Sequence, residues 1–131
     1  MTQHVRGTFE VKMNPQPPGE GEPESIGRMV LDKQYQGPLE ATGKGQMLAF
    51  HSAVEGSAGY VAMELVEGAL EGKSGTFVLQ HSGVMNRGKP GLTLAVVPDS
   101  GTGELKGLSG SMDIVIEEGQ HFYEFEYTLD E

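Results

Sequence analysis

Apolar and polar residues alternate with a period of two along much of this chain. In residues 4–12 one side carries Val5, Gly7, Phe9 and Val11, and the other carries Arg6, Thr8, Glu10 and Lys12. This is the spacing of a β-strand with one buried face. Further strand-like segments follow at residues 25–35, 44–51, 60–66, 75–82, 92–97, 111–117 and 120–129.

The clearest pattern lies in the last two segments, which the turn Glu118-Gly119 joins. The apolar face of the first holds Met112, Ile114 and Ile116, and that of the second holds Tyr123, Phe125, Tyr127 and Leu129. A hairpin folded at this turn places Met112 opposite Phe125, Ile114 opposite Tyr123, and Ile116 opposite His121. Both apolar faces then coincide, as a hairpin packed on a core requires.

Glycine and proline mark the places where the chain turns. Residues 13–24 contain mostly Pro, Gly and Glu, which predicts a surface loop. Residues 68–75 and 103–110 share the pattern G-x-L-x-G-x-S-G, and strand-like residues follow each copy. A phosphate-binding loop would precede a helix. These copies are therefore interpreted as hairpin corners.

Short strands separated by turns, with no helical pattern, predict an all-β sandwich or barrel formed by one domain over residues 1–131. Residues 60–66 are apolar on both faces, with Tyr60, Ala62 and Val66 on one and Val61, Met63 and Leu65 on the other. A barrel whose outer wall is partly covered by a second subunit would explain this. We therefore expect a homo-oligomer.

Composition narrows the partners and the compartment. The net charge of −10 opposes binding to nucleic acids and to anionic membrane surfaces. The chain has no cysteine, which fits a reducing compartment. No apolar stretch follows the first residues as in a signal peptide, and none is long enough for a spanning helix. These features predict a soluble cytoplasmic protein.

No sequence motif indicates a metal, a cofactor or a serine nucleophile. His51, His81 and His121 are not spaced as metal ligands usually are, and G-x-S-x-G is absent. We therefore expect no metal and no cofactor.

Five segments carry a resemblance to a known family: residues 7–12, 63–68, 75–83, 97–110 and 127–131. Together they resemble the bacterial family called domain of unknown function 3224. The resemblance implies an eight-stranded antiparallel barrel, similar to allene oxide cyclase and lipocalin-like in shape, that is commonly oligomeric. It implies no established activity.

A candidate site follows from the hairpin formed by residues 60–70 and 75–83. A corner centred near Gly72-Lys73 places Glu64 opposite His81, on the same face as Tyr60 and Phe77. A carboxylate beside an imidazole on an apolar face can anchor a ligand or act as a general base. The alternative is a satisfied polar pair at a barrel end, or a face that points outward.

Tyr127 is a further candidate, which either lines a cavity or fills it. Three functions remain open at this point. The barrel binds a small apolar or amphipathic ligand through Glu64, His81, Tyr60, Phe77 and Tyr127. Alternatively, it is an isomerase or cyclase that uses the same cavity, or it is a filled structural barrel that acts through oligomer assembly. An open interior favours the first two functions, and a filled interior favours the third.

Overall fold

A computed structural model describes residues 2–129 and shows a closed barrel of eight antiparallel strands, as predicted. Each strand pairs with the next one, and the last strand pairs with the first. The strands are β1 (Thr2–Gln16), β2 (Gly27–Gln36), β3 (Leu39–His51), β4 (Ala58–Leu70), β5 (Lys73–Asn86), β6 (Lys89–Val96), β7 (Leu108–Glu117) and β8 (Gln120–Leu129). A short 3₁₀ turn, Gly103–Leu105, lies between β6 and β7.

Tight turns close three of the hairpins. At Glu71-Gly72, Arg87-Gly88 and Glu118-Gly119, both residues have positive φ, between 47° and 87°. Two successive left-handed residues define the type I′ turn, whose twist matches that of the flanking strands. Glycine occupies the second position each time, because it adopts this conformation without steric cost.

The pairing of β7 with β8 agrees with the predicted register, including Met112 opposite Phe125 and Ile114 opposite Tyr123. The pairing of β4 with β5 differs from the prediction. The turn lies at Glu71-Gly72, so Glu64 pairs with Leu79, while Ala62 pairs with His81. The predicted partner of Glu64, His81, and the observed partner, Leu79, are two residues apart. Because this is an even number, Glu64 and His81 still point to the same face of the wall.

The loop predicted over residues 13–24 begins later, because β1 continues to Gln16. Beyond Phe9, β1 pairs only with β2, since the pairing with β8 stops at His121. A strand with one unpaired edge tolerates Pro15, which has no amide hydrogen to donate. Composition therefore failed to predict the end of this strand.

The second glycine-rich copy, residues 103–110, is not a hairpin corner. It contains the 3₁₀ turn and the start of β7, within a long connection from β6. The hydroxyls of Ser100 and Thr102 in that connection accept hydrogen bonds from the backbone amides of Val78 and Thr76 in β5. The connection thus packs against β5, and β6 and β7 share a single paired position, Ala95 with Ser111.

One end of the barrel interior is filled with side chains. Phe77 and Phe125 stack with ring centres 6.0 Å apart, and Tyr35 and Tyr123 meet edge to face at 5.7 Å. The Tyr123 hydroxyl accepts a hydrogen bond from the Leu39 amide at 2.9 Å, and it lies 3.0 Å from the Gln36 carbonyl oxygen. This tyrosine fixes the β2–β3 turn to the core.

Candidate functional site

The other end of the interior holds a cavity of about 730 Å³. Its wall is mostly apolar and comes from the ends of several strands and from the loop between β3 and β4. The lining residues include Met13, Met47, Ala49, Tyr60, Gly83, Met85, Leu92 and Ile116. The barrel is therefore neither wholly filled nor wholly hollow.

A buried polar cluster centred on Glu64 lies in the middle of the barrel. Lys33 Nζ is 3.1 Å from Glu64 Oε1, and His81 Nε2 is 2.8 Å from the same oxygen. The Tyr35 hydroxyl donates to Glu64 Oε2. Glu64 has no exposed surface, and His81 and Lys33 are only 3% and 6% exposed. The carboxylate thus receives hydrogen bonds from three side chains in the protein interior.

Strand parity brings this cluster together. Lys33 and Tyr35 are inward positions of β2, Glu64 is an inward position of β4, and His81 is an inward position of β5. Gly43 of β3 provides the necessary space, because a Cβ atom there would lie 2.0 Å from Glu64 Oε2. A side chain larger than hydrogen at this position would displace the carboxylate.

The electrostatics of the cluster favour an ionised Glu64. Burial alone would raise the pKa of this carboxyl group, but the His81 hydrogen bond, the Lys33 charge and the Tyr35 hydroxyl outweigh it and lower the pKa. Burial and the neighbouring carboxylate raise the pKa of Tyr35 well above its ordinary value. Tyr35 is therefore a neutral donor, and Glu64 is an acceptor without a proton.

The five residues predicted for the site fall into three groups. Glu64 and His81 are brought together in the buried cluster, and Tyr60 lines the cavity. Phe77 and Tyr127 belong to the packed core at the filled end. The Tyr127 hydroxyl donates to Glu71, at the β4–β5 turn.

Lys33 and Tyr35 complete the cluster, and the sequence reasoning did not select them. A signal was present, because Lys33 lies two positions from Leu31 and two from Tyr35 in a strand of period two. A charged residue at an inward position of such a strand needs a buried partner. Glu64 provides that partner.

The three histidines considered as metal ligands lie in three different environments. His51 lines the cavity, His81 bonds to Glu64, and His121 packs against the Phe9 ring at 5.2 Å. Within residues 2–129 no group of three or more His, Asp or Glu side chains is arranged to hold a metal ion.

Comparison with known proteins places the chain in a family. Residues 5–127 match the family described as protein of unknown function (DUF3224). The chain belongs to the DUF3224 family. A solved structure of a DUF3224 protein of unknown function from Shewanella oneidensis MR-1 is 50% identical, with a TM-score of 0.93. The alignment covers 100% of this chain and 99% of that one.

Two further findings are negative. No curated protein matches this DUF3224 chain. Across the residues that the structure describes, no helix has the length and apolar character needed to cross a bilayer.

Proposed function

We propose that this DUF3224 protein binds a small apolar or amphipathic molecule in the open end of its barrel. The observation that carries the proposal is the apolar cavity of about 730 Å³ above a buried polar cluster centred on Glu64. Sites for small molecules typically measure about 300–1,000 Å³ and combine an apolar wall with a few placed polar groups. The cavity fits this description in both size and lining.

The wall of the cavity suits a flexible apolar ligand. Met13, Met47 and Met85 line it together with aliphatic residues. Methionine is unbranched and polarizable, so it adapts to apolar ligands of different shapes. Tyr60 adds an aromatic face beside Gly83, whose missing side chain leaves room for the ring.

The cluster supports binding better than proton abstraction. Both Glu64 oxygens already accept hydrogen bonds, from Lys33, His81 and Tyr35. Its lowered pKa makes it a weak base. A carboxylate held by three donors fixes the positions of its neighbours, which makes Glu64 poorly suited to take a proton from a ligand.

The proposal is tested with N-phenyl-1-naphthylamine, an apolar dye that fluoresces when it leaves water. Met47 lines the cavity, and the next residue, Leu48, lies on the outer wall with 45% exposure. We expect Met47→Trp to fill the cavity and weaken dye binding about tenfold or more, which corresponds to about 1.4 kcal/mol. Leu48→Trp is the matched control and should change the affinity less than twofold.

The same two variants distinguish dye binding in the cavity from dye binding elsewhere on the protein. If the dye does not bind the wild-type protein, or if Leu48→Trp weakens binding as much as Met47→Trp, the cavity is not the binding site. The chain has no tryptophan of its own, so each introduced indole also reports folding by its fluorescence.

We also propose that the protein works as a homo-oligomer in the cytoplasm. The support is an apolar strip on the outer wall, formed by Val30, Leu48, Val61, Met63 and Leu65, which are 37–53% exposed. These side chains carry no charge in a protein of net charge −10, so two copies would repel each other least along the strip.

A further inference from the structure

We propose that the ligand is an apolar molecule that carries a hydroxyl group at its buried end, and that His81 Nδ1 accepts a hydrogen bond from this hydroxyl. The inference rests on the proposed function and adds the chemical class of the ligand. It follows from the hydrogen bonds of the cluster, taken one after another.

The His81 imidazole carries its proton on Nε2. An ionised carboxylate accepts hydrogen bonds and cannot donate them. Because His81 Nε2 lies 2.8 Å from Glu64 Oε1, the nitrogen must be the donor. Glu64 therefore selects the tautomer of the imidazole, because the hydrogen bond at one ring nitrogen determines which nitrogen carries the proton.

Nδ1 of His81 carries no proton. The Lys33 ammonium, 3.1 Å from the carboxylate, already balances the charge of Glu64. A cationic His81 would add a second, uncompensated charge to a site with almost no exposed surface, which is energetically costly. A neutral imidazole with its proton on Nε2 offers Nδ1 as an acceptor.

The His81 side chain lies next to the floor of the cavity, although it is not itself part of the lining. No residue among positions 2–129 bonds to this nitrogen, yet every fully buried side-chain nitrogen or oxygen there has a partner. Nδ1 therefore carries part of the small exposed surface of His81, whose side chain points into the barrel. Ala62 separates His81 from Met47 in the paired strands, and Gly83 follows His81 on the same face. Both Met47 and Gly83 line the cavity.

An acceptor at this depth distinguishes between ligands of similar shape. A hydroxyl group donates to Nδ1, whereas an ether oxygen or an ionised carboxylate has no hydrogen to donate. A carboxylate would also lose its hydration in the apolar cavity. The expected order of affinity is therefore alcohol, then ether, then carboxylate.

The test displaces N-phenyl-1-naphthylamine with decan-1-ol, decyl methyl ether and decanoate at neutral pH. One neutral hydrogen bond should make the alcohol bind about 3- to 10-fold more tightly than the ether. Equal affinity for alcohol and ether, or tightest binding of decanoate, would overturn the inference while leaving the proposed function intact. If none of the three displaces the dye from the cavity, the proposed function itself fails.

A variant and a spectroscopic measurement identify the acceptor. In His81→Leu the alcohol should lose its advantage over the ether, while the affinity of the ether stays within about threefold of that of the wild type. Should this variant not fold, long-range ¹⁵N–¹H spectra of the wild-type histidines decide the question. We expect a proton on His81 Nε2 and none on Nδ1, and a change at Nδ1 when decan-1-ol is added. A proton on Nδ1 in the free protein would refute the inference.

Discussion

Lys33→Met removes the cation of the buried cluster while preserving much of the volume of the side chain. Lys33 is 6% exposed, and its partner Glu64 has no exposed surface. Removal of one member of a buried ion pair typically costs about 3–5 kcal/mol, because the remaining charge is left without compensation. We expect the free energy of unfolding to fall by an amount in this range. That is a large part of the roughly 5–15 kcal/mol that is typical for the unfolding of a domain.

The double variant Lys33→Met/Glu64→Gln tests whether the loss comes from the isolated charge. The glutamine side chain of that variant is neutral, so the penalty for burying an unpaired carboxylate disappears. The two substitutions should therefore be non-additive, with a coupling energy of about 2 kcal/mol or more. The exposed Lys73 provides the control, since Lys73→Met should change the stability by less than about 0.5 kcal/mol.

Urea unfolding followed by circular dichroism and tyrosine fluorescence measures all of these values. The dependence of the free energy of unfolding on urea concentration must be the same in all variants, because only then does a shifted midpoint report a change in stability. A Lys33→Met variant within about 1 kcal/mol of the wild type would refute the account of the cluster. Additive single and double substitutions would refute it as well.

The pH dependence follows from the lowered pKa of Glu64. A carboxyl group with a lower pKa in the folded protein stabilises it above the ordinary pKa, about 4.3 for a glutamate. This contribution is lost as the pH falls from there through the folded value. The loss of free energy of unfolding caused by Lys33→Met should therefore be largest near pH 7 and should become smaller below about pH 4. A cost that does not change with pH would contradict the assigned charge state.

Three further predictions concern packing, turns and assembly. Gly43→Ala should destabilise the protein by about 1–3 kcal/mol, because its Cβ would meet Glu64 Oε2, whereas Gly27→Ala, with 3.8 Å of clearance, should be nearly neutral by urea unfolding. Tyr123→Phe should cost about 1–3 kcal/mol by leaving the buried Leu39 amide without its acceptor, and a matched Tyr60→Phe should cost under about 0.5 kcal/mol in the same assay. Met63→Glu should shift sedimentation velocity from an oligomer to a monomer, and an unchanged sedimentation coefficient would contradict assembly through the outer strip.

Strand parity made the all-β barrel predictable from the sequence. The apolar alternation in β7 and β8 also fixed their register, since the Glu118-Gly119 turn allows only one pairing that joins both apolar faces. Parity likewise brought Glu64 and His81 to the same face, although the predicted turn between β4 and β5 was off by one residue. An error that changes the pairing by an even number of residues keeps every side chain on its face.

Other features depend on contacts that local patterns do not contain. Lys33 is 31 residues from Glu64 along the chain, so their contact arises only when β2 and β4 take their places around β3. The same holds for the distribution of open and filled space. Phe77 and Tyr60 both point into the barrel, but they lie at different depths along its axis. Phe77 lies in the packed core, and Tyr60 lies near the rim, where it lines the cavity. Depth depends on the stagger of all eight strands, which a single sequence does not reveal.

The methionines of the chain allow the most direct test of ligand binding in the cavity. Met13, Met47 and Met85 line it, Met63 lies on the outer wall, and Met112 is buried in the core. In a protein labelled with [¹³C-methyl]methionine and titrated with decan-1-ol, the signals of the three cavity methionines should shift together, while those of Met63 and Met112 stay in place. A shift confined to Met63, or no shift at a saturating concentration of the alcohol, would contradict binding inside the barrel.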